Sequence, residues 1–193
     1  MFNDAVPRNE VALRILKATD TLMAKNGVQY LSTHKIAKEA GVSVGTIYLY
    51  FKDKDTLLNQ LVIYLFEMFH QAIDAKYDPS LSLFEQYQRL WQAKWEFMLD
   101  NPTVVKNMHQ YESLPQFQTV LRECLNSEFT SWNKFIMKGK SERVIVELPS
   151  EILFSMSLGI AWQVMYHQLL ISTPYSQALL DEIIQRTWNA ILV

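Results

Sequence analysis

Apolar residues recur at helical spacing along most of the chain, and short clusters of Pro, Gly, Asn, Asp and Ser separate the periodic segments. Ala12, Ile15, Leu16, Thr19, Leu22 and Met23 fall on one face of a first helix, which Asn26-Gly27 closes with residues that tolerate left-handed backbone. Ser32 is a natural N-cap for a second helix over Thr33–Ala40, because its hydroxyl can accept an orphan first-turn amide. Ile36, Ala37 and Ala40 share one side of that helix, and His34, Lys35, Lys38 and Glu39 are left to solvent. Gly41 supplies a left-handed turn and Ser43 caps a third helix, on which Ile47 and Phe51 share a face at i, i+4. Gly45, Thr46, Leu49 and Lys52 point mainly the other way, so this outward face is small and lightly polar.

Asp53 caps a long helix running through Leu57, Leu58, Leu61, Leu65 and Phe69 toward Tyr77, where Asp78-Pro79 ends it. Ser82 with Glu85 makes a capping box for a ring-rich helix ending near Asp100-Asn101-Pro102. A short helix over 104–111 follows. Pro115 then opens a longer one through Leu121, Leu125, Trp132 and Ile136, which Gly139 terminates. Residues 143–148 read as β-prone and extended, and two final helices are expected over 150–171 and about 176–192. No strand alternation, internal repeat or low-complexity segment stands out, so the expected fold class is all-α.

With 193 residues, 49% of them hydrophobic, the chain can bury one sizeable core or two small ones. Residues 1–55 carry eight Lys/Arg against six Asp/Glu, whereas the remainder carries ten against fourteen. The front is thus net +2 and the rest −4, a modest imbalance of the sign that phosphate contact needs, though solvated helix faces explain it equally well. The single cysteine, Cys124, rules out an intrachain disulfide, and the opening MFNDAVPRNE lacks the apolar core of a signal peptide. A reduced, cytoplasmic setting is expected. Residues 152–180 contain no Asp, Glu, Lys or Arg, yet Gln163, His167, Gln168, four serines and Pro174 argue against a membrane span and for a helix buried on most sides.

The run Ile36-Ala37, Ala40-Gly41-Val42-Ser43, Gly45-Thr46-Ile47-Tyr48, Tyr50-Phe51, Lys54 resembles the DNA-binding signature of the TetR family. That resemblance implies an N-terminal three-helix DNA-binding domain with a helix-turn-helix, followed by a larger helical ligand-binding and dimerisation domain. The two are assigned to residues 1–54 and 55–193, with the long helix from Asp53 shared between them. By position in the signature, Thr46 and Tyr48 are expected at phosphates or base edges, Tyr50 and Lys54 at phosphates, and Gly45 where a backbone approaches closely. Ser32 and Thr33 add amides from a helix N-terminus. The alternative for Tyr48 and Tyr50 is packing with Phe51. Val44 and Leu49 depart from the family habit of basic or hydrogen-bonding residues there. They cannot donate to guanine and would favour a thymine methyl, leaving specificity to Thr46 and DNA shape.

In the larger domain Trp91, Trp95, Met98 and Phe135, with Met137, Trp162, Met165 and Tyr166, offer a cavity wall for a small apolar or amphipathic effector; for each, plain core packing is the alternative. His70, His109, Gln110, Gln163 and His167 are available polar anchors. His109 and Glu112 have metal-ligating i, i+3 spacing, but without a second pair no metal and no cofactor are expected. Leu180, Ile184, Trp188 and Ile191 form a stripe suited to a four-helix homodimer interface, the alternative being a stripe satisfied inside the subunit. No Gly-rich phosphate loop, nucleophile elbow or organised carboxylate pair points to an enzyme. The expectation is a homodimeric, ligand-responsive regulator binding a palindromic double-stranded operator, most simply as a repressor, and the rival is a DNA-binding adaptor whose large domain holds a protein partner.

Overall fold

The computed structural model describes residues 9–193, apart from the side chain of Asn126; the first eight residues of the opening segment read above lie outside it. Eleven α-helices are found among the described residues: α1 (Glu10–Asn26), α2 (Thr33–Ala40), α3 (Val44–Tyr50), α4 (Lys54–Asp74), α5 (Leu83–Asp100), α6 (Pro102–Glu112), α7 (Pro115–Asn126), α8 (Ser131–Ser141), α9 (Ser150–Met156), α10 (Ile160–Ile171) and α11 (Gln177–Asn189). A single 3₁₀ turn, Val28–Tyr30, joins α1 to α2. No helix among the described residues is long and apolar enough to cross a membrane.

The chain divides into two compact units. One takes residues up to Met68 with Lys106–Arg122, the other Phe69–Val105 with Glu123–Val193. The division falls inside α4, the helix expected to be shared, and α6 and α7 also contribute to both units. The first unit therefore extends beyond residue 54 and includes a returning stretch of chain.

In the first unit the helix ends form as their local chemistry dictates. Ser32 accepts from the Lys35 amide at 3.3 Å, and Ser43 from the Thr46 amide at 3.0 Å. Gly41, at φ 65°, ends α2 while the Val42 amide donates to the Ala37 carbonyl and the Gly41 amide to that of Lys38, the pair of bonds that defines a Schellman turn. Ile15, Leu16, Met23, Ile36, Ile47 and Phe51 are fully buried and form the three-helix core.

Three expectations for the chain beyond Pro115 require correction. The long helix from Pro115 is two helices, α7 and α8. Thr130 caps the second by accepting from the Asn133 amide, and Asn133 Nδ2 donates to the Ser127 carbonyl at 2.8 Å, so local side-chain bonds take the backbone groups a continuous helix would use. Gly139 does not terminate it: this glycine is buried within α8, where a Cβ would lie 2.3 Å from Ile145 Cδ1. Residues 150–171 likewise form two helices. The Ser157 hydroxyl donates to the Leu153 carbonyl and the Gly159 amide to that of Phe154, and the backbone breaks at Ser157 with φ −130°, ψ −96°.

The third correction concerns the last helix. Leu180, Ile184, Trp188 and Ile191 are all buried inside the subunit, the Trp188 ring lying 5.3 Å from that of Tyr87. Tyr87 donates to Thr187 Oγ1 at 2.6 Å on the same helix. The stripe is thus buried within the subunit, Trp188 packing against rings of α5 and α8; exposed apolar side chains of α10 and α11 include Leu170, Ile171 and Leu179. Helix α11 stops at Asn189 because the chain end turns extended: Val146 donates to the Ile191 carbonyl and Val193 to that of Val144, pairing the β-prone 144–146 stretch antiparallel with the C-terminus.

Candidate functional site

Ser43 and the buried Ile47–Phe51 face orient α3 so that its other face is free. Leu49 is 82% exposed and Tyr48 52%, with Gly45 and Lys52 also exposed. Thr46 and Val44 are half-buried, and the Thr46 hydroxyl lies 2.8 Å from that of Ser43, within the cap. Tyr50 is half-buried with its ring 6.5 Å from Phe51, whereas Tyr48 points out. Tyr50 thus stands partly beside Phe51, and Tyr48 is the more exposed of the two tyrosines. Ser32 and Thr33 sit half-buried at the start of α2. Lys54 Nζ donates to the Leu31 carbonyl at 3.4 Å, which fixes the start of α4 against the loop before α2. Asp53 accepts from the Thr56 amide at 2.7 Å, and that bond holds its carboxyl below the usual range.

A buried polar network in the same unit was not legible in the sequence. The Asn107 side-chain amide of α6 donates to the Asp20 carboxylate at 2.7 Å and to the Asp20 carbonyl at 2.8 Å, and the Tyr111 hydroxyl donates to the same carboxylate. Gln110, one of the possible effector anchors, instead donates to the Met23 carbonyl and accepts from the Val28 amide. These bonds join α6 to the inner side of α1, the helix that backs α2 and α3. Tyr111→Phe leaves the Asp20 carboxylate one donor short and is expected to cost about 1–3 kcal/mol, read as a lower urea midpoint. An unchanged midpoint would show that the bond contributes nothing net.

In the second unit most of the residues expected to wall a cavity are buried. Trp91, Trp95, Met98, Phe135 and Met165 are buried, Trp162 and Tyr166 half-buried, and Met137 exposed. Trp91 and Trp95 stack at 5.4 Å. A shallow cleft of about 310 Å³ lies elsewhere, in the first unit, lined by Glu112, Phe117, Gln118, Leu121 and Arg122. His109 and Glu112 pair with each other at 3.2 Å, and no cluster of three metal-ligating side chains occurs among the described residues. Gln163 and His167 are exposed. His70 Nε2 lies 3.1 Å from Cys124 Sγ, but burial pushes the thiol up to about 12, so it stays protonated at neutral pH and is a poor nucleophile.

Lys94 is the residue of α5 that the sequence reading passed over. It falls at i+3 in the apolar series Trp91, Lys94, Trp95, Met98, and is 3% exposed. Its Nζ donates to the Leu158 carbonyl at 2.8 Å and lies 4.5 Å from the Phe154 ring centroid and 5.9 Å from that of Trp162. Burial lowers its ammonium from 10.5 to about 7. The signal was one charged residue inside an otherwise apolar helical stripe.

Comparison with known proteins identifies the family and the fold. Residues 15–61 match the family model for bacterial regulatory proteins of the tetR family, and residues 82–192 match a tetracyclin repressor-like C-terminal domain. An uncharacterized HTH-type transcriptional regulator of Haemophilus influenzae is 39% identical over 184 residues, covering 95% of this chain and 97% of its own. A crystal structure of a TetR-family transcriptional regulator from that organism superposes with a TM-score of 0.88 at 38% identity, over 95% of this chain and 97% of the other. The transcriptional regulator FadR of Bacillus subtilis, solved in complex with stearoyl-CoA, shares the fold alone: TM-score 0.74 at 19% identity, over 93% and 98% of the two chains.

Proposed function

Because the chain belongs to the TetR family of DNA-binding transcriptional regulators, we propose that it is a repressor released from a palindromic operator by a small apolar or amphipathic effector. Residues 1–54 bind DNA and 55–193 bind the effector and dimerise, in the cytoplasm. The observation that carries this reading is the outward face of α3, where Tyr48 and Leu49 stand exposed on a helix fixed by a Ser43 cap and a buried Ile47–Phe51 face. An aliphatic side chain with that exposure suits a thymine methyl, and Tyr48 a phosphate or base edge.

TetR-family regulators form dimers, and a single three-helix unit with so few cations is too weak a binder alone; two recognition helices one DNA turn apart multiply the affinity. Exposed Leu170, Ile171 and Leu179 of α10 and α11 support these helices as the pairing face. Effector release requires only that the ligand favour the conformer in which the two α3 helices are wrongly spaced, since differential affinity sets the shift. The bound stearoyl-CoA of the Bacillus protein supports an effector with a long apolar part.

The test is fluorescence anisotropy with DNA from upstream of the protein's own gene against scrambled DNA over a salt series. Selective binding is expected for the wild type. Tyr48→Ala should bind about ten- to hundred-fold more weakly, as for the loss of about 1–3 kcal/mol of contact energy, with an unchanged melting temperature. Equal affinity of the two proteins would remove Tyr48 from the interface, and equal binding to both DNAs would remove the sequence-specific operator.

A further inference from the structure

A lysine buried on the inward face of α5 has fewer partners than an ammonium group can hold. Lys94 has three N–H donors, and the protein acceptor it finds is the Leu158 carbonyl, which lies in the turn between α9 and α10 and also accepts from the Ala161 amide. Its other neighbours are the faces of Phe154 and Trp162. No carboxylate pairs with it among the described residues. One turn earlier on the same helix face, the Trp91 indole N–H is also buried and finds no acceptor among the described residues.

Two buried donors short of acceptors, three residues apart on one helix face, are costly to keep. If holding the Leu158 carbonyl were the whole task, a neutral amide would do it without the desolvation cost of a charge. An ammonium and a buried indole N–H one turn earlier on the same helix face are donors that a small anion could satisfy, and the surrounding rings and methionines suit an apolar chain attached to it. Burial also holds the ammonium at about 7, and an incoming anion would keep it protonated.

We infer that Lys94 and Trp91 form a head-group subsite for a carboxylate-bearing amphiphile, with its apolar chain running into the core beside Trp95, Met98 and Met165. This rests on the reading that the second unit takes an amphipathic effector, and specifies that the effector is an anion. Entry requires the closed packing around Lys94 to part, so a bound ligand exchanges core contacts for its own.

Calorimetric titration of the full-length protein with decanoate and with 1-decanol tests it. The wild type is expected to bind decanoate at least tenfold more tightly than the alcohol. Lys94→Met should lose that preference, decanoate falling at least tenfold while the alcohol changes less than about twofold, and Trp91→Phe, which keeps an aromatic side chain but removes the indole N–H, should weaken decanoate several-fold while leaving the alcohol within about twofold. Equal affinity of the wild type for both ligands overturns the anionic subsite and leaves the apolar effector standing. A preference retained in Lys94→Met overturns the role of Lys94. Binding of neither ligand overturns this inference together with the amphipathic-effector reading, and points to the adaptor alternative.

Discussion

Lys94→Met is expected to stabilise the protein at pH 7 by about 1–4 kcal/mol, the range seen when buried ionic groups give way to apolar side chains of similar volume. The substitution removes a buried cation, keeps an unbranched chain of similar length between Phe154 and Trp162, and leaves the Leu158 carbonyl the Ala161 amide as donor. The wild type should also show a pH dependence that the variant lacks. The folded-state value of Lys94 is about 7 against an ordinary 10.5, so between those limits the unfolded chain binds the extra proton. Stability from this group therefore rises with pH across about 7 to 10.5 and is flat below it, where both states are charged. The full depression corresponds to on the order of 5 kcal/mol. Urea denaturation of both proteins from pH 6 to 10, taken as a difference, isolates Lys94 from other titrating groups. Parallel curves would mean that the ammonium is solvated or paired.

Phe51→Ala is expected to cost about 3–5 kcal/mol, a cavity-forming truncation of a fully buried ring. Helix α3 is seven residues long, far below the length at which a helix is stable alone, so burial of Ile47 and Phe51 is what maintains it. The same substitution should abolish selective operator binding, because the face bearing Tyr48 and Leu49 loses its backing. It thus differs from Tyr48→Ala, which weakens DNA binding without lowering the melting temperature. A Phe51→Ala protein with a normal urea midpoint would show that the three-helix core tolerates the void.

The parts of the fold that could be read from the sequence are those in which the deciding interaction is local. Ser32, Ser43 and Ser82 each cap the helix they precede, and the Ser82–Glu85 capping box forms with both bonds. Each acts on an amide within three residues, and Gly41 needs only its own freedom at positive φ. The α2–turn–α3 unit and its exposed face follow from such short-range choices together with a hydrophobic period. The breaks at Ser127–Thr130 and Ser157–Gly159 are also built from local bonds, but no glycine or proline signal marked them strongly enough to outweigh a continuous apolar pattern.

The sequence by itself determined that this chain is helical, where most helices begin, and which short helix leaves its outer face exposed, because capping and periodicity act over three or four residues. Tertiary structure alone decided which apolar stripes were inside. Trp188 is taken by α5, with Tyr87 bonding Thr187 across 100 residues of chain, Ile184 is buried, and Gly139 is small because Ile145 lies against it. It also decided that Asp20 meets Asn107 and Tyr111, and that Lys94, a lone charge in an apolar stripe, is buried rather than turned out to solvent. Periodicity tells that a face is apolar but not what covers it; the covering residues come from distant parts of the chain, and only their packing fixes whether a side chain is core, site or surface.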